Sequence, residues 1–440
     1  YLRFKQIAYR LIYIIRKRFI KKIYDKKIKS NIQPIQWTNI IEKPTSYSGN
    51  LEFCFLNINH KFEETIDWNL NEYGKLWTYN LNYFDFLNQS AIEQLEALTL
   101  MQDYVGRLDE LKDGLEPYPT SIRCINWIKY LSKKNIQDEV INKSLFNQYL
   151  RLIDNLEYHI LGNHLLENGF SLLFGAYYFK DVVFYSKAKK IIIQELEEQI
   201  LTDGAHFELS PMYHQIILDR VLDCIYLITK NPWQRNLDLL NKMKFYATKM
   251  LSWLTEVTFK DDTIPMVNDS AFRIAPNTSS LVKYAKFLKI LPFNTQLSDC
   301  GYRKFNIDSY ELFADVGQVG PSYQPGHAHA DTFSFIFYSN KPIIVDPGIS
   351  TYNMGEIRKL ERSTKYHNTV TVNDKDSSIV WAGFRVAKRA KVTIEKDNYN
   401  RLKASHNGYK DLGIKHTRNF HMDGSNILIS DFINKNKKSN

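Results

Sequence analysis

At 440 residues the chain is about three times a modal domain. Its 44% hydrophobic and 24% charged content is ordinary for a globular protein and excludes wholesale disorder. The net charge of +10 sits at the start: residues 1–30 hold 11 Lys/Arg against Asp25, and the rest carries 47 basic and 47 acidic residues. The body is therefore not a nucleic-acid binder by charge.

The opening segment, taken as residues 1–40, has no apolar run longer than Leu11–Ile15, too short and too charged to span a bilayer. It lacks the apolar core and cleavage site of a secretory signal. Its spacing predicts a basic amphipathic helix, lying on an anionic membrane surface or a partner, or else simply solvated. The first residue is Tyr, so compartment stays open: cytoplasmic or membrane-peripheral as it stands, periplasmic or secreted with a leader upstream. Cys54, Cys124, Cys224 and Cys300 are scattered and read as reduced thiols.

From about 90 to 290 the pattern is helical. Apolar residues recur at three and four in Ile122–Leu131, Leu145–Leu156, Leu172–Tyr178, Ile191–Leu201, Ile216–Ile228 and Leu239–Leu254. Short polar joints between them demand antiparallel neighbours, as a bundle or a ring of hairpins. After Pro292 β-branched and aromatic runs take over: Thr332–Tyr338, Ile343–Val345, Asn368–Val372, Lys391–Ile394, Thr417–His421 and Ile427–Phe432. Helices followed by strands predict an α+β protein, with domains at 41–298 and 299–440. The polar, unpatterned end makes the β domain read as incomplete there.

The most informative stretch is GHAHADTFSF, Gly326 to Phe335. His327 and His329 point the same way on an extended chain, about 6.6 Å apart, and Asp331 continues that face. Asp346 lies in VDPG and His367 in KYHNTV. Two imidazoles and a carboxylate suit zinc, though scattered His and Asp also read as surface or hydrogen-bonded groups. In LGNHLLENG, Asn163 and His164 stand where a helix begins, with Glu167 a turn later. An N-cap for Asn163 and a His164–Glu167 pair are the structural readings. ELSPMYHQ supplies Glu208, Tyr213 and His214 at another helix start, with Pro211 in the first turn. Arg123 lies among aromatics in EPYPTSIRCINW, fit for an anionic substrate or for a structural ion pair. IPMVNDSAFR holds Asn268 and Asp269 in a loop, and Asp269 joins the substrate-binding candidates. No glycine-rich phosphate loop, GxSxG elbow or HExxH occurs.

Together with LWTYNLNYFDFL and IPMVNDSA, these segments resemble, in order from Leu76 to Val372, the heparinase II/III and alginate lyase superfamily of polysaccharide lyases. The resemblance implies an incomplete (α/α) toroid followed by an antiparallel β-sandwich. It implies His327 and Tyr213 as the catalytic histidine and tyrosine, and Asn163 and His164 as the groups that neutralise a uronate carboxylate. Glu167 matches an assisting acid, and Tyr352 a substrate-contacting tyrosine. His329, Asp346 and His367 match the ligands of members with structural zinc. The N-terminal stretch looks like relatives encoded for surface-polysaccharide assembly.

The chemistry so implied is β-elimination on an acidic polysaccharide: C5 loses its proton, O4 leaves, and charge builds on the carboxylate. The balanced body charge favours a capsule-like uronan over a highly sulfated polyanion. Two other readings stand beside it. One is a glycoside hydrolase using paired carboxylates such as Glu208 and Asp269. The other is a non-catalytic glycan-binding or assembly protein.

Overall fold

The computed structural model describes residues 2–19, 22–28, 32, 34–234, 237–307, 310–424 and 426–435. The chain divides into two compact units, residues 2–197 with 220–244, and residues 198–219 with 245–440. In chain order the helical part runs α1 (Phe4–Phe19), a small antiparallel sheet of β1 (Tyr47–Gly49), β2 (Glu52–Phe55) and β3 (Ile58–Lys61), then α2 (Lys75–Tyr83) and α3 (Gln94–Gly106). It continues through α4 (Pro117–Lys133), α5 (Glu139–Asp154), α6 (Gly162–Phe179), α7 (Val182–Gln199), α8 (Pro211–Lys230), α9 (Leu237–Val257) and α10 (Thr278–Phe287).

Each apolar-periodic segment falls on one of the helices α4 to α9. Local chemistry sets their starts. Pro117 opens α4 and Pro211 opens α8, where a missing N–H costs nothing. The Asp138 carboxylate accepts from Ile141 N and caps α5. Within the first unit, α4 and α6 are buried almost throughout, and α4 buries the polar Arg123, Asn126 and Lys129 along with its apolar residues.

The β-rich part contains β4 (Tyr302–Ile307), β5 (Tyr310–Asp315), β6 (Phe335–Ser339) and β7 (Lys341–Ile344), paired in that order. A six-residue helix, α11 (Glu356–Glu361), and a hairpin of β8 (Ile379–Trp381) and β9 (Arg385–Ala387) follow. The second four-stranded antiparallel sheet is β10 (Val392–Asn398), β11 (Arg401–His406), β12 (Ile414–Asp423) and β13 (Asn426–Lys435). Leu312, Ala314 and Phe333 share one buried cluster with Leu402, Ala404, Phe420 and Met422, so the two sheets pack face to face.

Two strand expectations need correction. Thr332–Tyr338 becomes strand only at Phe335, because Phe333 takes a left-handed turn at φ 73°. Asn368–Val372 is not a strand: Asn368 Nδ2 donates to Phe335 O and Val345 O, bridging the segments around β6 and β7, and only Val372 makes an isolated bridge, to Lys375. Among the described residues no helix is long and apolar enough to cross a membrane, and the four cysteines are free thiols.

Two buried histidines in the second unit make it acid-sensitive. Burial pushes His214 down to about 4; its Nδ1 accepts from His206 N and its Nε2 faces Met250 O at 2.9 Å. Burial, then the neighbouring His416, lowers His406 to about 3. Both values lie below the unfolded 6.5, so unfolding takes up protons and stability falls as pH drops below that value. The loss is about 1.4 kcal/mol per pH unit for each group. Thermal melts between about pH 6.5 and pH 4.5 should show a progressive fall in Tm; a flat profile would contradict this account.

Candidate functional site

The first unit holds Asn163, His164, Glu167 and Arg123, and it assigns them unequal roles. The N-cap of α6 is Leu161 at φ 66°, so Asn163 is a first-turn residue and not the cap. His164 keeps a side chain about one-third exposed, stacks on Tyr118 at 4.4 Å, and sets Nδ1 3.0 Å from Glu157 Oε1. The expected His164–Glu167 pair does not form. Glu167 is instead buried 2.9 Å from Arg220, in a cluster with Asp223 and Lys129. Burial raises its pKa against the opposing pull of Arg220.

Arg123 is a correction of the same kind. Fully buried, it donates to Gln148 Oε1, Asn82 O, Gly114 O and Thr120 Oγ1, and its guanidinium lies over Tyr104. Four hydrogen bonds tie the guanidinium to the scaffold, so it does not face a substrate.

The second unit gathers the remaining candidates around the loop Asn268–Ser270. Asn268, at φ 52°, donates from Nδ2 to Leu209 O and Tyr302 Oη, and its Oδ1 accepts from His329 N. Asp269 N donates to His327 O, and Ser210 Oγ donates to Asp269 O. Ile349 N donates to Ser270 O. Gly348 lets that turn approach: at φ 60°, a Cβ there would stand 2.2 Å from Ser270 O. Three segments remote in sequence are thus stitched by main-chain bonds before any reactive group is placed.

Asp269 is the hub. Its carboxylate is wholly buried and receives His327 Nδ1 at 2.8 Å, His329 Nε2 at 2.9 Å and a two-pronged Arg358 guanidinium, one prong at 2.8 Å. Burial alone would raise its pKa; hydrogen bonds from both histidines and from Arg358 hold it far below the carboxylate range. It is therefore ionised, and each histidine carries its proton on the nitrogen that faces it. The substrate-binding expectation for Asp269 is overturned, since every oxygen is occupied within the protein.

His327 keeps an edge open to solvent, with its side chain 14% exposed and Nε2 3.5 Å from the buried Glu208 Oε2. That separation is an ion-pair distance, beyond hydrogen-bond range. The Tyr213 ring lies 4.2 Å from the His327 ring, and Tyr213 Oη is 2.9 Å from Tyr352 Oη. Burial, then Tyr352 and Asp269, pushes the Tyr213 phenol well above its ordinary value, so it stays protonated. Sequence reading singled out neither Arg358 nor Arg362. Arg362, the residue that ends α11, donates to Ala328 O inside the His327–His329 stretch, while Arg358 four residues earlier holds Asp269.

His329, Asp346 and His367 also lie close together, at 5.3 Å between the two ring centroids. Asp346 turns both oxygens to His367 Nδ1, at 3.0 and 2.9 Å. Among the described residues no three His, Cys, Asp or Glu side chains are gathered as a metal site. His329 Nδ1, His367 Nε2 and Asp331 Oδ2 are buried without a hydrogen-bond partner. Orphaned imidazole nitrogens of this kind fit the donor chemistry of zinc.

The chain matches the family models described as Heparinase II/III N-terminus over residues 120–298 and Heparinase II/III-like, C-terminal over residues 294–440. A heparin-sulfate lyase of Bacteroides stercoris is 26% identical over 406 residues, covering 82% of this chain and 58% of that protein. A heparin-sulfate lyase of Pedobacter heparinus is 24% identical over 350 residues, covering 71% and 50%. The chain thus spans 50–58% of the length of these relatives. Among solved structures, a heparinase III aligns with a TM-score of 0.60 at 14% identity, covering 97% of this chain and 75% of that one. The heparan sulfate lyase of Pedobacter heparinus aligns at 0.53 and 17%, covering 87% and 66%. These likenesses carry the fold, an α-helical toroid followed by antiparallel β-sandwich, as expected. With its helical and β parts matched in order, the chain belongs to the heparinase II/III-like family.

Proposed function

We propose that the chain is a polysaccharide lyase that cleaves a uronic-acid-containing polysaccharide, of capsule or surface type, by β-elimination. The observation that carries this reading is the Tyr213–His327 pair, with His327 oriented from behind by an ionised carboxylate. A proton on Nδ1 leaves Nε2 as the basic edge, suited to take the C5 proton. The protonated Tyr213 phenol is suited to protonate O4 as the glycosidic bond breaks. Tyr352 holds the Tyr213 hydroxyl in place. We assign Asn163 and His164 to the uronate carboxylate, where an amide and an imidazole stabilise enediolate charge.

The hydrolase alternative loses support, because Asp269 is locked by Arg358 and cannot serve as one of two carboxylates lining a cleft. The relatives' names point to acidic glycosaminoglycans, in keeping with an acidic polysaccharide substrate for this chain.

Uronic-acid polysaccharides should yield products absorbing in the near ultraviolet through a C4–C5 double bond. Tyr213→Phe, His327→Ala and Asp269→Asn should each lower kcat about 10²–10⁴-fold. Full activity in the first two would remove the assignment. Asn163→Ala should lose rate on the same substrate, and unchanged kinetics would withdraw its role.

We also propose one structural zinc. His329 Nδ1 and His367 Nε2 would bind it, and Asp346 would complete the set by releasing His367. When bound, the ion would brace the His327–His329 stretch and take no part in proton transfer. Elemental analysis of purified protein should find about one zinc per chain, reduced in His367→Ala; metal-free protein of full stability would exclude it.

The segment α1 supports peripheral membrane contact. It exposes Phe4, Leu11, Ile14, Ile15 and Phe19 beside its many basic residues. Vesicles containing anionic lipid should retain the protein and neutral vesicles should not; equal retention by both would refute an electrostatic component.

A further inference from the structure

The β8–β9 hairpin lies directly against the candidate centre. Its turn runs Trp381–Ala382–Gly383–Phe384–Arg385, with Ala382 at φ 46° and Gly383 at φ 69°. Arg358, already clamped on Asp269, donates from Nε and Nη2 to Gly383 O at 3.1 and 2.9 Å. Phe384 stacks on Tyr352 at 5.8 Å and 12°, and meets the His327 ring edge-on at 6.3 Å. The turn is therefore fixed by the same groups that fix the reactive residues.

A cavity of about 210 Å³ is lined jointly by α11 and this hairpin, Arg358 among the lining residues. Met354, Glu356, Arg358, Lys359, Arg362 and Trp381 line it, three cationic side chains against one carboxylate. Trp381 and Phe384 are each 45% exposed. Across the ladder, Trp381 is paired with Arg385, which is also exposed, so both side chains rise from one face. Lys359 is largely exposed and only loosely held, 3.8 Å from Glu356. Flat indole beside exposed cationic side chains is the chemistry that receives the apolar face of a pyranose and its acidic substituent.

We infer that this hairpin and cavity form a subsite for an acidic sugar unit of the same polysaccharide chain, adjoining the unit that reacts. Trp381 is the stacking platform, and Arg385 and Lys359 pair with the carboxylate or sulfate. The inference rests on the lyase reading above, and the two can fail separately.

The test uses Trp381→Ala, Trp381→Phe and the Arg385→Ala/Lys359→Ala pair in the full chain. On polymeric substrate, Trp381→Ala should raise KM roughly fivefold to tenfold with kcat changed less than about twofold. Trp381→Phe should restore most of the affinity. The double charge variant should raise KM and flatten its dependence on salt. On the shortest cleavable oligosaccharide these effects should shrink, because the outer unit is missing. Calorimetry with an unsulfated uronate hexasaccharide, in a Tyr213→Phe background, reads the subsite without turnover. Equal affinity with and without Trp381, given unaltered circular dichroism, overturns the subsite. Loss of affinity in a protein that forms no unsaturated product keeps the subsite and discards the lyase.

Discussion

Taking a carboxylate wholly out of water costs several kcal/mol unless partners surround it. Asp269 meets that demand with Arg358 and two imidazoles, and in doing so it fixes the geometry of everything nearby. One oxygen orients His327, the other His329, and the arginine spans both. Remove the carboxylate and Arg358 is left as a buried, uncompensated charge. The histidines would also lose the bonds that set their tautomers. The constellation is thus rigid for electrostatic reasons, independent of any ligand.

How much of this was legible in the sequence differs by kind of signal. Helices α4 to α9 could be read because long amphipathic or apolar stretches keep the 3.6 period. Strand β5 could not, since all six of its residues are buried and no alternation survives. The His327–His329 spacing predicted a shared face, and both imidazoles do meet one carboxylate, although the segment is a loop and not a strand. Arg358 left no such mark: a charged residue in a short polar helix reads as surface, and only the fold shows that it is buried. The one sequence signal pointing to it is the i,i+4 repeat of Arg358 and Arg362.

Charge burial separates the candidates that face outward from those that do not. Arg123 and Glu167 resembled ligand-binding groups by type, yet each is consumed by the scaffold of the first unit. Lys129, Asp223, Arg220 and Glu167 form a buried set of two positive and two negative groups, which specifies packing more than it contributes affinity. By contrast His164, His327, Tyr352 and Trp381 retain open edges. Charged residue type alone was a poor guide; what each charge is already bound to decides its availability.

The anchoring of Asp269 by α11 has a cost for durability. Six residues make fewer than two turns, too few to persist without the contacts their side chains make elsewhere. Fraying of that one helix would withdraw Arg358 and leave the carboxylate half-compensated, while both β-sheets stayed intact. Inactivation by heat or denaturant would then run ahead of global melting, with a folded but disarmed population in between.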